Sequence, residues 1–263
     1  MRNISEAEKN LQWLVLAGAN ESIGDTPIDR FAVPEEKAQP ATAPEKSFFP
    51  SAPITPMPAE RPVSETALQN VSSARSATTL EELKEVVFRF DCPLKTGATN
   101  LVFGAGNPQA DLMIVGEAPG FEEDRQGLPF VGASGKLLDL MLESIGIKRP
   151  DVYITNILPW RPLGNRKPSE AEVALFTPFV RRHIALIKPK ILLMLGGSSV
   201  SALMNTNEGI TRLRGRWMTY ADDDISVPAL ASFHPAFLLR TPAQKKLAWR
   251  DLLAVRERLE QFS

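Results

Sequence analysis

Cysteine is almost missing from this chain: Cys92 is the single one in 263 residues. That excludes an intramolecular disulfide, and it excludes any zinc or iron–sulfur site built on four thiolates of one chain. Histidine is as scarce as tyrosine, with two residues of each. Long apolar runs are missing too, since none reaches the roughly 18 residues a membrane-spanning helix needs. The run Leu11 to Ala17 is shorter still, and acidic residues precede it where a secretory signal is basic. The net charge of −1 excludes a histone-like polycation but not a local basic groove. A Walker loop is also absent, because the helix start at 134–136 reads Ser-Gly-Lys. A reducing cytoplasm, no membrane contact and a monomeric state are the expectations.

What is present falls into three parts. Residues 1–20 hold a capping start, Ser5-Glu6-Ala7-Glu8, followed by Leu11, Trp13, Leu14, Val15 and Leu16 on one face of a helix expected over about residues 5–18. Such a helix either docks back on the main domain or binds a protein partner. Residues 21–79 form a spacer rich in Pro, Ala, Ser and Thr, with Pro34, Pro40, Pro44, Pro50, Pro53, Pro56, Pro58 and Pro62 removing backbone donors. It buries too little apolar surface to offset its ordering entropy, so disorder is expected there. Residues 80–263 carry the regular pattern of a folded domain.

In that domain, short apolar runs at Leu112–Val115, Val152–Thr155, Ile191–Leu195 and Val227–Ala231 have strand length. Helical stretches near 134–146, 169–187, 198–205 and 242–259 alternate with them. The alternation predicts an α/β fold of three layers, α/β/α, around a mainly parallel four-stranded sheet. Working residues then belong just beyond the carboxyl ends of the strands.

The unusual residues do fall there. After the first run comes Gly116-Glu117-Ala118-Pro119-Gly120-Phe121-Glu122-Glu123-Asp124, then Pro129-Phe130-Val131-Gly132. Glycines allow close approach to a ligand, the carboxylates suit acid–base or charge work, and Phe130 is an aromatic in a Gly/Pro loop. After the second run stands Asn156, which is either a turn former or a donor–acceptor pair for a nucleobase edge. Arg161, Asn165 and Arg166 follow as a rim suited to phosphates. After the fourth run, His234 precedes Leu238, Leu239 and Arg240. The leucines are either buried helix residues or a wedge for a base stack beside a phosphate-binding arginine. His183, within Arg181-Arg182-His183 on a helix, reads as solvated or half-buried.

Taken together, Gly-Glu-Ala-Pro-Gly-x-Glu-Glu-Asp, Pro-Phe-Val-Gly, the strand-end Asn, the rim Arg-Pro-x-Gly-Asn-Arg and His-Pro-Ala-Phe-Leu-Leu-Arg resemble the family 4 uracil-DNA glycosylases over roughly residues 85–255. The stretch 100–108 ahead of the first strand fits as well. The resemblance implies the glycosylase fold and a repair enzyme that flips uracil out of DNA and hydrolyses its N-glycosidic bond. It implies that Phe130 stacks on uracil and that Asn156 reads O4 and N3–H. Gly116 and Glu117 would line the pocket, and His234 would stabilise charge on O2. Glu123 is the expected water-orienting carboxylate, with Glu117 its main competitor and Glu122 and Asp124 behind them. Arg161, Asn165, Arg166, Leu238, Leu239 and Arg240 would meet the DNA.

The family usually holds a [4Fe–4S] cluster on four cysteines. The matching positions here are Arg89, Cys92, Trp160 and Phe176, so neither cluster nor any other cofactor is expected, and the chain resembles a cluster-free bacterial branch. Asn165-Arg166-Lys167-Pro168 runs into the next helix without the histidine-bearing insertion of the variants that trap DNA covalently. The competing reading is a non-catalytic nucleic-acid-binding domain serving a polymerase or repair assembly.

Overall fold

The computed structural model describes residues 72, 74–222 and 225–262. The helix expected near 5–18 and nearly all of the expected spacer lie outside the described residues. The end of that spacer belongs to the folded unit, for Ala74 and Ala77 are buried and the Ala77 carbonyl accepts the Arg182 Nε–H at 2.6 Å. Helix α1 (Leu80–Arg89) starts where Thr79 accepts the Glu82 N–H at 3.1 Å, an N-cap bond that satisfies an otherwise orphaned donor.

Six strands form one sheet, two more than the sequence pattern predicts. Their ranges are β1 (Ala105–Gly106), β2 (Leu112–Gly116), β3 (Tyr153–Asn156), β4 (Ile191–Leu195), β5 (Trp217–Asp222) and β6 (Ile225–Ser232), in the spatial order β1-β3-β2-β4-β6-β5. The four expected runs are the parallel centre, β3-β2-β4-β6. The correction lies at the edges, where β1 and β5 pair antiparallel to β3 and β6. Neither edge strand is a continuous apolar run: β1 has two residues, and β5 alternates exposed and covered positions. A strand that is paired on one side only carries a weaker hydrophobic signature than a central one.

The central strands are buried on both faces, and their side chains alternate between two cores. Leu112 and Ile114 of β2, with Ile191 and Leu193 of β4, pack toward α3 (Ala133–Glu143), α7 (Pro235–Arg240) and α8 (Lys245–Glu260). Met113 and Val115, with Leu192 and Met194, pack on the other face against α1, α4 (Glu170–Ile187) and α5 (Gly197–Met204). Helices α2 (Phe121–Gln126) and α6 (Ile210–Leu213) are short. Among the described residues no helix is long and apolar enough to cross a membrane.

The chain leaves β2 for β3 on one side, then crosses back to β4 on the other. The carboxyl ends of β2 and β4 therefore flank a topological switch point, where open α/β sheets form a crevice.

Candidate active site

A cavity of about 740 Å3 opens at that edge of the sheet. Its walls include Glu117 and Glu123 from the segment after β2, Phe130, Asn156 from the end of β3, and His234 and Arg240 from the segment after β6. Residues far apart in sequence meet here because parallel strands all deliver their carboxyl ends to one edge. Gly116 lies beside Asn156 in the β2–β3 register. A methyl group on Gly116 would overlap the Asn156 carboxamide oxygen and the Phe130 ring, so only glycine lets the strand approach them.

Phe130 is held in an uncommon shape. Its φ of 53° lies in the left-handed region, which a bulky residue occupies only when its surroundings impose it. The Glu123 carboxylate supplies much of that constraint. Its Oε1 accepts the N–H groups of Val131 at 2.9 Å and Gly132 at 2.8 Å, and its Oε2 accepts that of Gly120 at 3.1 Å. Arg149 adds a bond from Nη2 to the Pro129 carbonyl at 2.6 Å. The neighbouring Asp124 serves a similar purpose, accepting from the N–H groups of Thr99 and Asn100. Both carboxylates thus bind backbone N–H groups, which the run of acids in the sequence does not reveal.

His234 caps α7. Its Nδ1 accepts the Ala236 N–H at 3.1 Å, an acceptor role only a neutral imidazole with its proton on Nε2 can fill. Desolvation pushes its pKa down to about 4, with the Arg240 charge also lowering it and the Glu117 and Glu123 charges opposing. The neutral ring is thus the form present at ordinary pH. It stacks beside Phe130 with centroids 5.4 Å apart and planes 30° apart.

Glu117 is anchored from outside the cavity. Its Oε2 accepts the Ser198 hydroxyl at 2.6 Å. Ser198, in the first turn of α5, is not singled out by the sequence, and neither is Lys167, which unlike Ser198 lines the cavity. Their only sequence signal is position: one follows β4 closely and the other follows the basic rim. A second hollow of about 940 Å3 runs along α4 and α5 and meets the first only at Lys167 and Gly197.

The expected DNA-contacting residues divide. Leu238 is 1% exposed and packs in the core with Leu138 and Leu252, so it is corrected from wedge to core residue. Leu239, one position on, is 42% exposed, because adjacent helix positions point about 100° apart. Arg240 is exposed and lines the cavity mouth. Arg161 is bound through Nε to Asn165 Oδ1 at 2.7 Å, and its guanidinium lies 5.1 Å from the Phe121 ring centre. Arg166 grips Glu172 through two bonds of 2.8 and 2.6 Å, which holds the Glu172 carboxyl down at about 2. His183 is corrected as well: it is buried, and its Nε2 pairs with the Tyr153 hydroxyl at 2.8 Å.

At the four positions matching cluster ligands, Arg89 is exposed and pairs with Glu85, while Cys92, Trp160 and Phe176 are buried. One thiol among a guanidinium and two aromatic rings is not a donor set for iron. Instead Phe90 meets Phe176 and Phe179 edge-on, with centroids 5.6 and 5.1 Å away. Lys95 Nζ lies 5.2 Å from the Trp160 ring centre and donates to the Phe88 carbonyl. These contacts join the segment after α1 to the segment after β3 and to α4. Among the described residues no group of three or more His, Cys, Asp or Glu is placed to hold a metal.

A family profile for the uracil DNA glycosylase superfamily matches residues 103–253. The type-4 uracil-DNA glycosylase of Sulfurisphaera tokodaii is 40% identical over 184 residues, which is 68% of this chain and 84% of that protein. The type-4 enzyme of Thermotoga maritima is 39% identical over 168 residues, 62% of this chain and 86% of that protein. A DNA polymerase of Bacillus phage SP01 is 28% identical over 158 residues, 60% of this chain and 17% of that protein.

Proposed function

The chain belongs to the uracil-DNA glycosylase superfamily, and from that premise we propose that it extracts uracil from DNA and hydrolyses its N-glycosidic bond, leaving an abasic site. The observation that carries this reading is the neutral His234, with its proton on Nε2, in one cavity with Asn156 and Phe130. Uracil enters with Phe130 along its face and the Asn156 carboxamide on its O4 and N3–H edge. Cytosine presents a donor where uracil presents O4, and so loses that match.

As the bond between C1′ and N1 breaks, its electron pair passes into the base and charge grows on O2. The His234 Nε2–H donates to that oxygen, a fixed donor facing charge that develops only in the transition state. The sugar meanwhile gains oxocarbenium character, water adds to C1′, and the proton that the water gives up passes to the uracil anion, which leaves as the neutral base. We assign the water-orienting carboxylate to Glu117. Three backbone N–H groups already occupy Glu123, whose part is to hold the Phe130 loop. Leu239 fills the gap left in the duplex, and Arg240 and Lys167 meet phosphates, with Arg161, Asn165 and Arg166 shaping the rim.

No step needs a metal or organic cofactor, and the chain acts without an iron–sulfur cluster, since it offers one thiol where such a cluster needs several. We place it as a monomer at the nucleoid of the cytoplasm. Residues 80–263 carry its glycosylase domain, and the buried Ala74 and Ala77 extend the folded unit ahead of them.

The polymerase relative favours one second reading, an accessory domain that binds DNA without turnover. Chromatography of the base released from uracil-containing single- and double-stranded oligonucleotides separates the two. Free uracil with a matching count of abasic sites is expected, and tight binding with no released base would put the accessory reading first.

A further inference from the structure

Ser198 belongs to no motif named above, and it does not line the uracil cavity. It lies on the wall of the adjoining hollow along α4 and α5. From there its hydroxyl reaches Glu117 Oε2 at 2.6 Å, the short distance of a hydroxyl donating to a charged carboxylate. Among the described residues no other donor is bonded to Oε2, and none is bonded to Oε1.

The topology makes this meeting a designed position. β2 and β4 are adjacent and parallel, with Val115 beside Met194, so the segments leaving them start side by side. The β4 segment turns at Gly196, whose φ of 95° is a shape that side chains rarely adopt. The Gly196 N–H donates to the Ser232 carbonyl at 2.9 Å, tying this turn to the segment that leads into His234. One glycine turn thus sets the start of α5 against both the acid and the imidazole.

We infer that Ser198 is a positioning residue of the reaction: it fixes one oxygen of Glu117 so that the other is presented to the attacking water and the developing sugar cation. A carboxylate on a glutamate arm has several rotamers, and holding the productive one beforehand removes an ordering cost from the barrier. Glu117 and Glu123 then divide the work. Glu123 is saturated by backbone donors and shapes the loop, while Glu117 is held by a single side-chain donor and keeps one oxygen open.

The inference rests on the uracil-excision reading, and a double-mutant cycle in single-turnover cleavage separates the two. The variants are Ser198→Ala, Ser198→Thr, Glu117→Ala and the pair Ser198→Ala with Glu117→Ala. Loss of a hydrogen bond to a charged group predicts a fall of about 10- to 100-fold in the cleavage rate of Ser198→Ala, with KM changed little. Ser198→Thr, which keeps the hydroxyl, restores most of the rate. In the Glu117→Ala background, Ser198→Ala has no further effect, because it acts only through that carboxylate. Independent, multiplying losses, or a Ser198→Ala rate equal to wild type, would overturn the positioning role. Absence of uracil release by wild type would instead overturn the reading beneath it.

Discussion

The Nδ1 of His234 accepts the backbone N–H of Ala236, and this one bond sets both where the helix starts and which ring nitrogen carries the proton. An imidazolium at this place would set an Nδ1–H against that N–H. The cap and the neutral form of the ring are therefore lost together on protonation.

Acid behaviour follows from that bond and from a second buried ring. Burial holds His234 down at about 4 and His183 at about 3, both below the ordinary 6.5. As pH falls through 6.5 the unfolded chain takes up protons that the folded chain refuses. Stability from the two neutral rings is complete above that value and drains down to about 3–4. Thermal melts from neutral to acid pH should show Tm falling below 6.5, less steeply in His183→Leu. The cleavage rate should have no inflection from His234 at 6.5. A clear titration there would mean a solvated imidazole.

Glu123→Ala tests the clamp on the Phe130 loop. Three N–H groups lose their acceptor, and each one left buried and unsatisfied costs about 1–3 kcal/mol. A marked drop in Tm and faster proteolysis in the 120–132 segment are expected alongside reduced cleavage. Unchanged Tm and loop protection, with activity alone abolished, would return the water-orienting role to Glu123.

The two leucines of α7 should separate by assay. Leu238→Ala opens a cavity in the core and should cost about 2–5 kcal/mol of stability. Leu239→Ala should melt like wild type. Its cleavage of double-stranded DNA should fall on the order of tenfold while single-stranded cleavage stays level, since only a duplex has a gap to fill. Equal effects on both substrates would remove Leu239 from the wedge role.

Much of this architecture is legible in the amino-acid order. The central strands are continuous apolar runs because both their faces are covered, and β2, β3, β4 and β6 stand where those runs predict. Strand-end reasoning leads to Asn156 and His234 without any coordinates. β1 and β5 escape it because edge strands lack that signature, and α2 escapes because six residues following Pro119-Gly120 read as loop. Side-chain direction is the other blind spot. Nothing in Leu238-Leu239 tells which one is buried, and Glu123 within a run of acids gives no sign that it binds three backbone donors. Ser198 is invisible for a related reason: its partner is 81 residues away, and only the β2–β4 pairing brings them together.

The central claim is that a neutral His234 stabilises charge on the departing uracil. Its most direct test is single-turnover cleavage of a uracil-containing oligonucleotide by wild type, His234→Ala and His234→Asn. Asparagine keeps an acceptor for the α7 cap, so its fold is retained while the Nε2–H donor is gone. Cleavage by wild type with a loss of about 10²–10³ in both variants, and near-normal Tm in His234→Asn, is the predicted result. Wild-type rates in His234→Asn would contradict the account.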